Sequence, residues 1–401
     1  MSLKLWKDLI DDFSVSNLPE VGNFKARGDS FIKKQNPFSY AQNILSLADG
    51  CGFDLYDGNG WKQISNRGEI VINPALNLDQ GEFLLPGNDY FIYLVQEGAG
   101  EPEIVFSLNA TYPIGYTAEN SRKIGGFHFG HIRAVDETWT PIDAAGARYG
   151  NSGTTWKNNV NVGIVPNSVW DLKNRPKTLF PGLVKVSNFW ISIYQASIKS
   201  LVTFFNSTNG LSIASGELQS VYGQYPATGT EGLNWYNFVE LAGRSGMRLP
   251  SYQEWIMSAI GNPQGEDGAD NYGWTKTTNT GRARVGCSVN PSTGAYDLVS
   301  GIKKFEISAL NIVGAIGNTW EWLSDSYGRF DASTGTWQFY DQLGAGMGKV
   351  YAWKTDGLAA LIAGGLWSHG VACGPRCVHT GYVPWNVLTG LGARLACDAA
   401  A

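Results

Sequence analysis

Charge of either sign is scarce in this chain. Only 16% of its 401 residues are charged, and 35 acidic against 30 basic side chains leave a formal net charge of -5. Without a basic excess the chain lacks the electrostatic footprint of a nucleic-acid binder, so no nucleic-acid partner is expected. Long apolar runs are missing too. None approaches the ~18 residues a helix needs to cross a bilayer, so no membrane insertion is expected. The N-terminus breaks its apolar positions with Lys7, Asp8, Asp11 and Asp12 and has no secretory h-region. The expectation is synthesis in a cytoplasm, with any extracellular workplace reached by another route, such as a virus particle released by lysis. Cysteine is too sparse, at five residues, for a disulfide scaffold, and the odd count leaves at least one thiol free. Neither GxGxxG nor a P-loop occurs, so no nucleotide role is indicated.

What the chain does have is aromatic residues and glycine: 15 Trp, 18 Tyr, 18 Phe and 50 Gly, within a hydrophobic content of 43%. That pairing favours strands joined by tight turns over helical bundles. The predicted fold class is α+β and β-rich, in three parts. Residues 1–62 form an N-terminal assembly and hairpin unit, 63–155 a β-sandwich-like domain, and 156–401 a ligand-binding domain.

Along the chain, Leu3, Leu5, Trp6, Leu9, Ile10 and Phe13 recur at helical spacing. FDLYDGNGWKQIS reads as a hairpin, because Asp57 to Gly60 supply turn chemistry. Short strands are expected at EIVINPAL, FLLPG, YFIYLVQE, EIVFSLN and RKIGGFHFGHIRAV, each closed by Gly, Pro, Asn or Asp. His128 and His131 lie in the last of these, and pairing with backbone or aromatic neighbours is the default reading over metal ligation. VKVSNFWISIYQAS reads as one strand. Two helices follow. The first places Trp235, Phe238, Val239, Leu241 and Ala242 on one side and ends at Gly243 and Gly246. The second is capped by Ser251, with Glu254 completing a capping box.

The most informative stretch is the last, AGGLWSHGVACGPRCVHTGYVPWNVLTGLGARLAC, from Ala363 to Cys397. It holds two of the four His and three of the five Cys, yet its only charges are Arg376 and Arg394. A segment so apolar is normally buried, but this one has neither the helical nor the strand period that would bury it. Two residue sets interleave. Gly364, Gly365, Trp367, Gly392, Ala393 and Arg394 have the look of framework. Leu366, Ser368, His369, Gly370, Ala372, His379, Gly381, Tyr382, Asn386, Leu388, Gly390 and Leu391 read as a displayed surface.

The succession GRSGMRLPSYQEW, GNTWEW, AGGLW and GLGARLACD resembles the C-type-lectin-like fold of the formylglycine-generating-enzyme class. Within it, the likeness runs to the variable proteins of diversity-generating retroelements. NDYFIYLV, PIGYTAENSRKIGGFHFG and SVWDLKNRPK extend it upstream, so that it covers about residues 65–398. The resemblance implies a framework in which a variable region, about 363–397, is rewritten at adenine-rich codons while the scaffold is left alone. The twelve displayed residues fall in its gaps, and each is reachable from an Asn codon by adenine substitution. Trp320, Trp322, Gly364, Gly365, Trp367 and Arg394 would be scaffold. The implied function is receptor binding at a phage tail-fibre tip, with host tropism set by a protein receptor on a bacterial surface. It also implies a homotrimer, virion localisation and no cofactor.

Two other functions fit the same chain. A diversified cell-surface protein of a bacterium would need an export signal. A copper-dependent oxidase of the formylglycine class would need paired thiols, but that class places its first cysteine four residues after the second glycine. Here His369 stands there, and Cys373 and Cys377 are out of register, so the chain is read as non-enzymatic. A Cys373–Cys377 or Cys–Cys397 disulfide is a weaker reading than buried or displayed thiols, and a zinc site from His369, Cys373, Cys377 and His379 is weaker because the Gly-Pro between the thiols forms no tight knuckle. Calcium-dependent sugar binding lacks its carboxylates. Glu321 in WEW has no sequence partner as a general acid and reads as paired to the scaffold.

Overall fold

The hairpin read at 53–65 forms: β2 (Gly52–Tyr56) pairs antiparallel with β3 (Trp61–Ser65), with Phe53 opposite Ile64 and Tyr56 opposite Trp61. In this computed structural model the chain is described from residue 45 to residue 400. The exceptions are short breaks and the stretches 147–159, 206–211, 263–273, 290–295, 298–306, 330–336 and 341–349. The helical opening expected at 3–13 lies outside the described residues, as do Cys51 and Cys287. The chain folds as two compact units. One holds residues up to Gly130 with Val162–Arg175 and Ala399–Ala401, and the other holds His131–Asn161 and Pro176–Asp398.

In the N-terminal unit, β1 (Leu45–Leu47) pairs with β4 (Ile70–Ile72). The main sheet is built from β5 (Asn88–Val95), β6 (Glu103–Ser107), β7 (Ser121–Arg133) and β8 (Val160–Ile164), in the order β6-β5-β7-β8, and β9 (Trp170–Asp171) also pairs with β7. Strand β5 shows why the sequence takes this form. Its even positions, Tyr90, Ile92 and Leu94, enter a large core with Phe106, Ile124 and Phe127, while Tyr93 and Val95 pack with Val105 in a smaller one. Both faces are therefore apolar, which is why NDYFIYLV reads as a nearly continuous run. The second glycine in KIGGF has a steric reason: a Cβ on Gly126 would lie 2.7 Å from the Trp170 ring.

Two expectations here need correction. FLLPG is not a strand, and Phe83 and Leu85 are exposed, because apolar content without a paired neighbour does not make a ladder. His128 is bonded to a carboxylate, not to backbone or aromatic groups alone. The β5–β7 register sets Asp89 opposite it, 2.7 Å from Nδ1. His131 does take an aromatic neighbour, stacking on Tyr222 at 5.9 Å.

The C-terminal unit begins its regular structure with a surprise. VKVSNFWISIY is not one strand but a hairpin, β10 (Leu183–Val186) and β11 (Phe189–Ser192). The turn passes through Ser187 at φ 56, a left-handed conformation that a non-glycine residue does not advertise in sequence. β22 (Ala396–Asp398) adds to β11, giving a three-stranded sheet. β12 (Ser197–Phe204) and β13 (Ile213–Gln219) form a separate two-stranded ribbon, as do β14 (Ser288–Val289) with β15 (Tyr296–Asp297) and β17 (Trp337–Tyr340) with β18 (Val350–Trp353). The remaining four, β16 (Trp320–Arg329), β19 (Gly357–Ala363), β20 (Val378–Tyr382) and β21 (Leu391–Ala393), make one sheet in the order β20-β19-β16-β21.

Both expected helices are present. Helix α1 (Trp235–Arg244) buries Asn237, Phe238, Leu241 and Ala242; Val239, expected on the same side, is exposed. Gly243 lies inside the helix, and the reversal comes at Gly246, φ 68. Helix α2 (Tyr252–Ser258) has the capping box read for it: Ser251 accepts from the Glu254 N–H, and Glu254 accepts from the Ser251 N–H. Asn234 and Asn237 form a second box at α1, and Thr228 and Glu231 a third.

Glu254 has a further partner. Arg248 donates to both its oxygens at 2.6 and 2.7 Å and to Asp398 at 3.1 Å. Burial alone would raise the Glu254 carboxyl, but the hydrogen bonds from Arg248 and Ser251 more than offset it and hold it below its ordinary 4.5. Arg248 likewise depresses Asp398. Folded values below unfolded ones mean stabilisation present above about pH 4.5 and lost as pH falls through the depressed values. Arg248→Met is expected to lower stability at pH 7 by about 1 kcal/mol, since the pair is partly solvated, and to flatten the acid limb of a urea-denaturation series below pH 4.5. An unchanged acid limb would contradict this.

A displayed face on a buried ion pair

The site is built from its floor upward. Arg394 and Glu321 are completely buried, at 0% and 1% side-chain exposure. The guanidinium meets the carboxylate in a fork, Nη2 to Oε1 at 3.0 Å and Nε to Oε2 at 3.2 Å. Trp255 Nε1 and Gln195 Nε2 each donate to the same carboxylate, at 2.8 and 3.0 Å. The remaining guanidinium hydrogens go to the carbonyls of Ser192, Ile193 and Val313. A burial this deep is tolerable because every side of both ions is bonded. Glu321, read as a scaffold partner, is one. The pair joins β16 to the segment just after β21, and those strands run parallel, with Trp320, Glu321 and Trp322 opposite Leu391, Gly392 and Ala393.

Above this floor the backbone of 364–390 is tied at many points. Gly364 and Gly365 take φ 94 and φ 99, and a Cβ on Gly365 would sit 2.5 Å from the Cys373 sulfur. Only glycine fits there. Trp367 N–H donates to Asn318 O, Gly370 N–H to Thr275 O, Trp235 N–H to Pro384 O, Gly229 N–H to Leu388 O and Trp320 N–H to Gly390 O. The Asn279 amide donates to Trp367 O at 3.0 Å, and the Tyr252 hydroxyl to Arg376 O at 3.2 Å. These bonds reach the main chain of the run, not its side chains. Two displayed side chains also hold it, since His379 Nδ1 accepts from the Gly381 N–H at 2.9 Å and Asn386 Oδ1 from the Val383 N–H at 3.2 Å; elsewhere its shape depends little on which side chains it carries.

The displayed set falls into three groups. His369, Ala372, His379 and Leu388 are exposed, and Leu366, Ser368, Gly381, Tyr382, Asn386 and Gly390 are half-buried. Gly370 and Leu391 are buried, Leu391 to 1%, because the first lies in a tight turn and the second is inside the β16–β21 pairing. Those two are corrected to framework. In sequence nothing separates Leu391 from Leu388, since the difference is the start of a three-residue strand. Sequence reasoning also missed Val371 and Val387, which are exposed at 64% and 46%, and left Trp385, exposed at 52%, outside the displayed set.

Trp320 connects the floor to the surface. Buried itself, it takes the edges of both histidine rings, His369 at 5.5 Å and His379 at 6.0 Å, and His379 lies 4.9 Å from Tyr382. Burial lowers the His369 basicity, so this imidazole is neutral at pH 7. The face thus offers aromatic and imidazole rings, apolar side chains and short hydrogen-bonding groups. Cys373, Cys377 and Cys397 are free thiols; burial pushes Cys377 and Cys397 up, and Cys373 donates to the Leu366 carbonyl at 3.1 Å. Neither the Cys373–Cys377 nor the Cys397 disulfide is formed. Among the described residues no three His, Cys, Asp or Glu side chains gather as metal ligands.

Residues 172–396 match the sulfatase-modifying factor enzyme 1-like domain, more than half of the chain. The chain belongs to that family. Upstream, residues 38–157 match the second domain of Mtd. A tail fiber receptor-binding protein of Bordetella phage BPP-1 is 29% identical over 320 residues, covering 79% of this chain and 72% of that protein. Solved structures of the Major Tropism Determinant M1 and P3c variants superpose with a TM-score of 0.60 at 25% identity, over 94% of this chain and 87% of theirs. The fold is thus the α+β, C-type-lectin-like one that the motifs implied.

Proposed function

We propose that the chain is the receptor-binding protein of a phage tail fibre, a host-tropism determinant that displays a diversified surface to a protein receptor on a bacterial cell. One observation carries this reading: the run 364–390 is tied to the rest of the fold chiefly through its main chain, and most of its outward side chains are left to meet a partner. Its palette of Trp385, Tyr382, two imidazoles, small residues and short polar groups is that of an adaptable paratope. The relative from phage BPP-1 bears the description of such a binder, which supports the assignment. The chain acts without catalysis or cofactor, since His369 takes the place of the enzyme class's first cysteine and Cys373 is packed beneath Gly365. It is made in the host cytoplasm and assembled into the virion as a homotrimer, whose several copies strengthen individually weak contacts.

The test uses the purified full chain. Fluorescently labelled protein should bind intact cells of bacteria sensitive to the phage that carries it, and an excess should block adsorption of that phage. Binding unchanged by prior protease treatment of the cells would count against a protein receptor, and failure to compete with the phage would overturn the reading.

A further inference from the structure

Between the buried floor and the displayed run stands the loop 274–283. It meets the run at two points: the Gly370 N–H donates to the Thr275 carbonyl at 2.7 Å, and the Asn279 amide donates to the Trp367 carbonyl at 3.0 Å. The tip is a turn, Asn279 N–H to Lys276 O at 2.8 Å, with Lys276, Thr277 and Thr278 exposed. From Thr275 to Arg282 the loop has no hydrophobic residue. Apolar burial therefore does little to fix its pose, which falls to its hydrogen bonds.

Asn318 holds both ends of that loop. Its backbone N–H donates to Trp274 O at 2.9 Å, its Oδ1 accepts from the Ala283 N–H at 2.8 Å, and its Nδ2 donates to Ala283 O at 3.2 Å. An N–H on one side and a carbonyl on the other leave the amide one orientation. Nδ2 also donates to Gln195 Oε1 at 2.8 Å, and Gln195 donates in turn to Glu321, so the clamp is tied to the buried ion pair. The Asn318 carbonyl accepts from the Trp367 N–H at 3.1 Å. The residue is 5% exposed and takes φ 59, a left-handed conformation that asparagine tolerates better than most residues. Arg282 braces the loop from the side through an ion pair with Glu231 at 2.6 Å.

We propose that Asn318 is the positioning residue of the displayed face. It fixes the two ends of the loop 274–283, and the loop, through Thr275 and Asn279, sets the pose of Trp367–Gly370 and with it that of His369. Asn318 is buried and touches no receptor itself; it acts through the loop. Its effect on adsorption rests on the receptor-binding reading, whereas its effect on the run rests on the bonds alone.

Two variants of the full chain test this, by amide hydrogen exchange read by mass spectrometry and by the affinity of labelled protein for phage-sensitive cells. Asn318→Gly keeps the left-handed backbone and removes the three side-chain bonds. Asn279→Ala leaves the clamp in place and cuts one bond from loop to run. Exchange across 367–373 should speed at least about tenfold in both, and cell affinity should fall about tenfold, the size of one lost hydrogen bond. Exchange in α1, β10 and β11 should change less than about threefold. Acceleration there as large as at 367–373 would make Asn318 a general stabiliser and overturn the proposal. Unchanged exchange across 367–373, or faster exchange with parental affinity, would overturn it as well. If the parent chain itself fails to bind the cells, the receptor-binding reading falls, and exchange across 367–373 alone decides the clamp.

Discussion

Arg394→Ala should cost the C-terminal unit about 3–5 kcal/mol, the largest stability effect expected of any single substitution in the displayed face or its floor. The size follows from what the arginine leaves behind. Glu321 would keep its bonds from Trp255 and Gln195 but lose its counter-ion in a site with 1% exposure. Three main-chain carbonyls, those of Ser192, Ile193 and Val313, would lose their donors at once. Arg394→Lys should recover only part of the loss. A single ammonium reaches fewer acceptors than a planar fork, and none of its geometries matches the bidentate pairing with Glu321. Urea denaturation followed by tryptophan fluorescence measures both. A loss below about 1 kcal/mol for Arg394→Ala would show that the pair is dispensable and that the face is held by something else.

The second large effect is on binding. Replacing the exposed side chains His369, Ala372, His379, Trp385 and Leu388 together should reduce adsorption to the original host by at least about 100-fold, since two or three truncated contacts of ~2 kcal/mol each suffice. The same protein should fold. These side chains lie outside the buried core, and apart from the bond that His379 Nδ1 accepts from the Gly381 N–H, the bonds from the rest of the fold reach the segment's main chain. Some loss is built in, because the His369 and His379 rings both pack T-shaped against Trp320 and His379 accepts from the Gly381 N–H. A shift of about 1 kcal/mol is the allowance for that contact.

Local chemistry was the part of the molecule legible in its residues. Ser251 and Glu254 announced a helix start, the glycines of FDLYDGNGW a hairpin, and Gly364, Gly365 and Arg394 a framework, because each of those residues does its work within a few positions or has few alternatives. What stayed hidden depended on distant partners. Asp89 meets His128 only through a strand register, and Ser187 turns a chain that composition reads as continuous. Val239 repeats at the right spacing for a buried face, yet it is exposed while Phe238, Leu241 and Ala242 are buried. Leu391 resembles its exposed neighbours until β16 pairs with it. The exposure of much of the run 364–390 was legible as a failure of periodicity, and the particular side chains that point outward were not.

The claim at the centre is that recognition and folding are carried by different atoms of the same segment. One multiply substituted chain tests it: exchange His369, Ala372, His379, Tyr382 and Leu388 for five unrelated residues, then record its thermal unfolding and its adsorption to a panel of bacteria. An unfolding midpoint within a few degrees of the parent, together with a changed set of bound hosts, is the predicted result. Unfolding shifted downward by about ten degrees or more, or an unaltered host set, would contradict it.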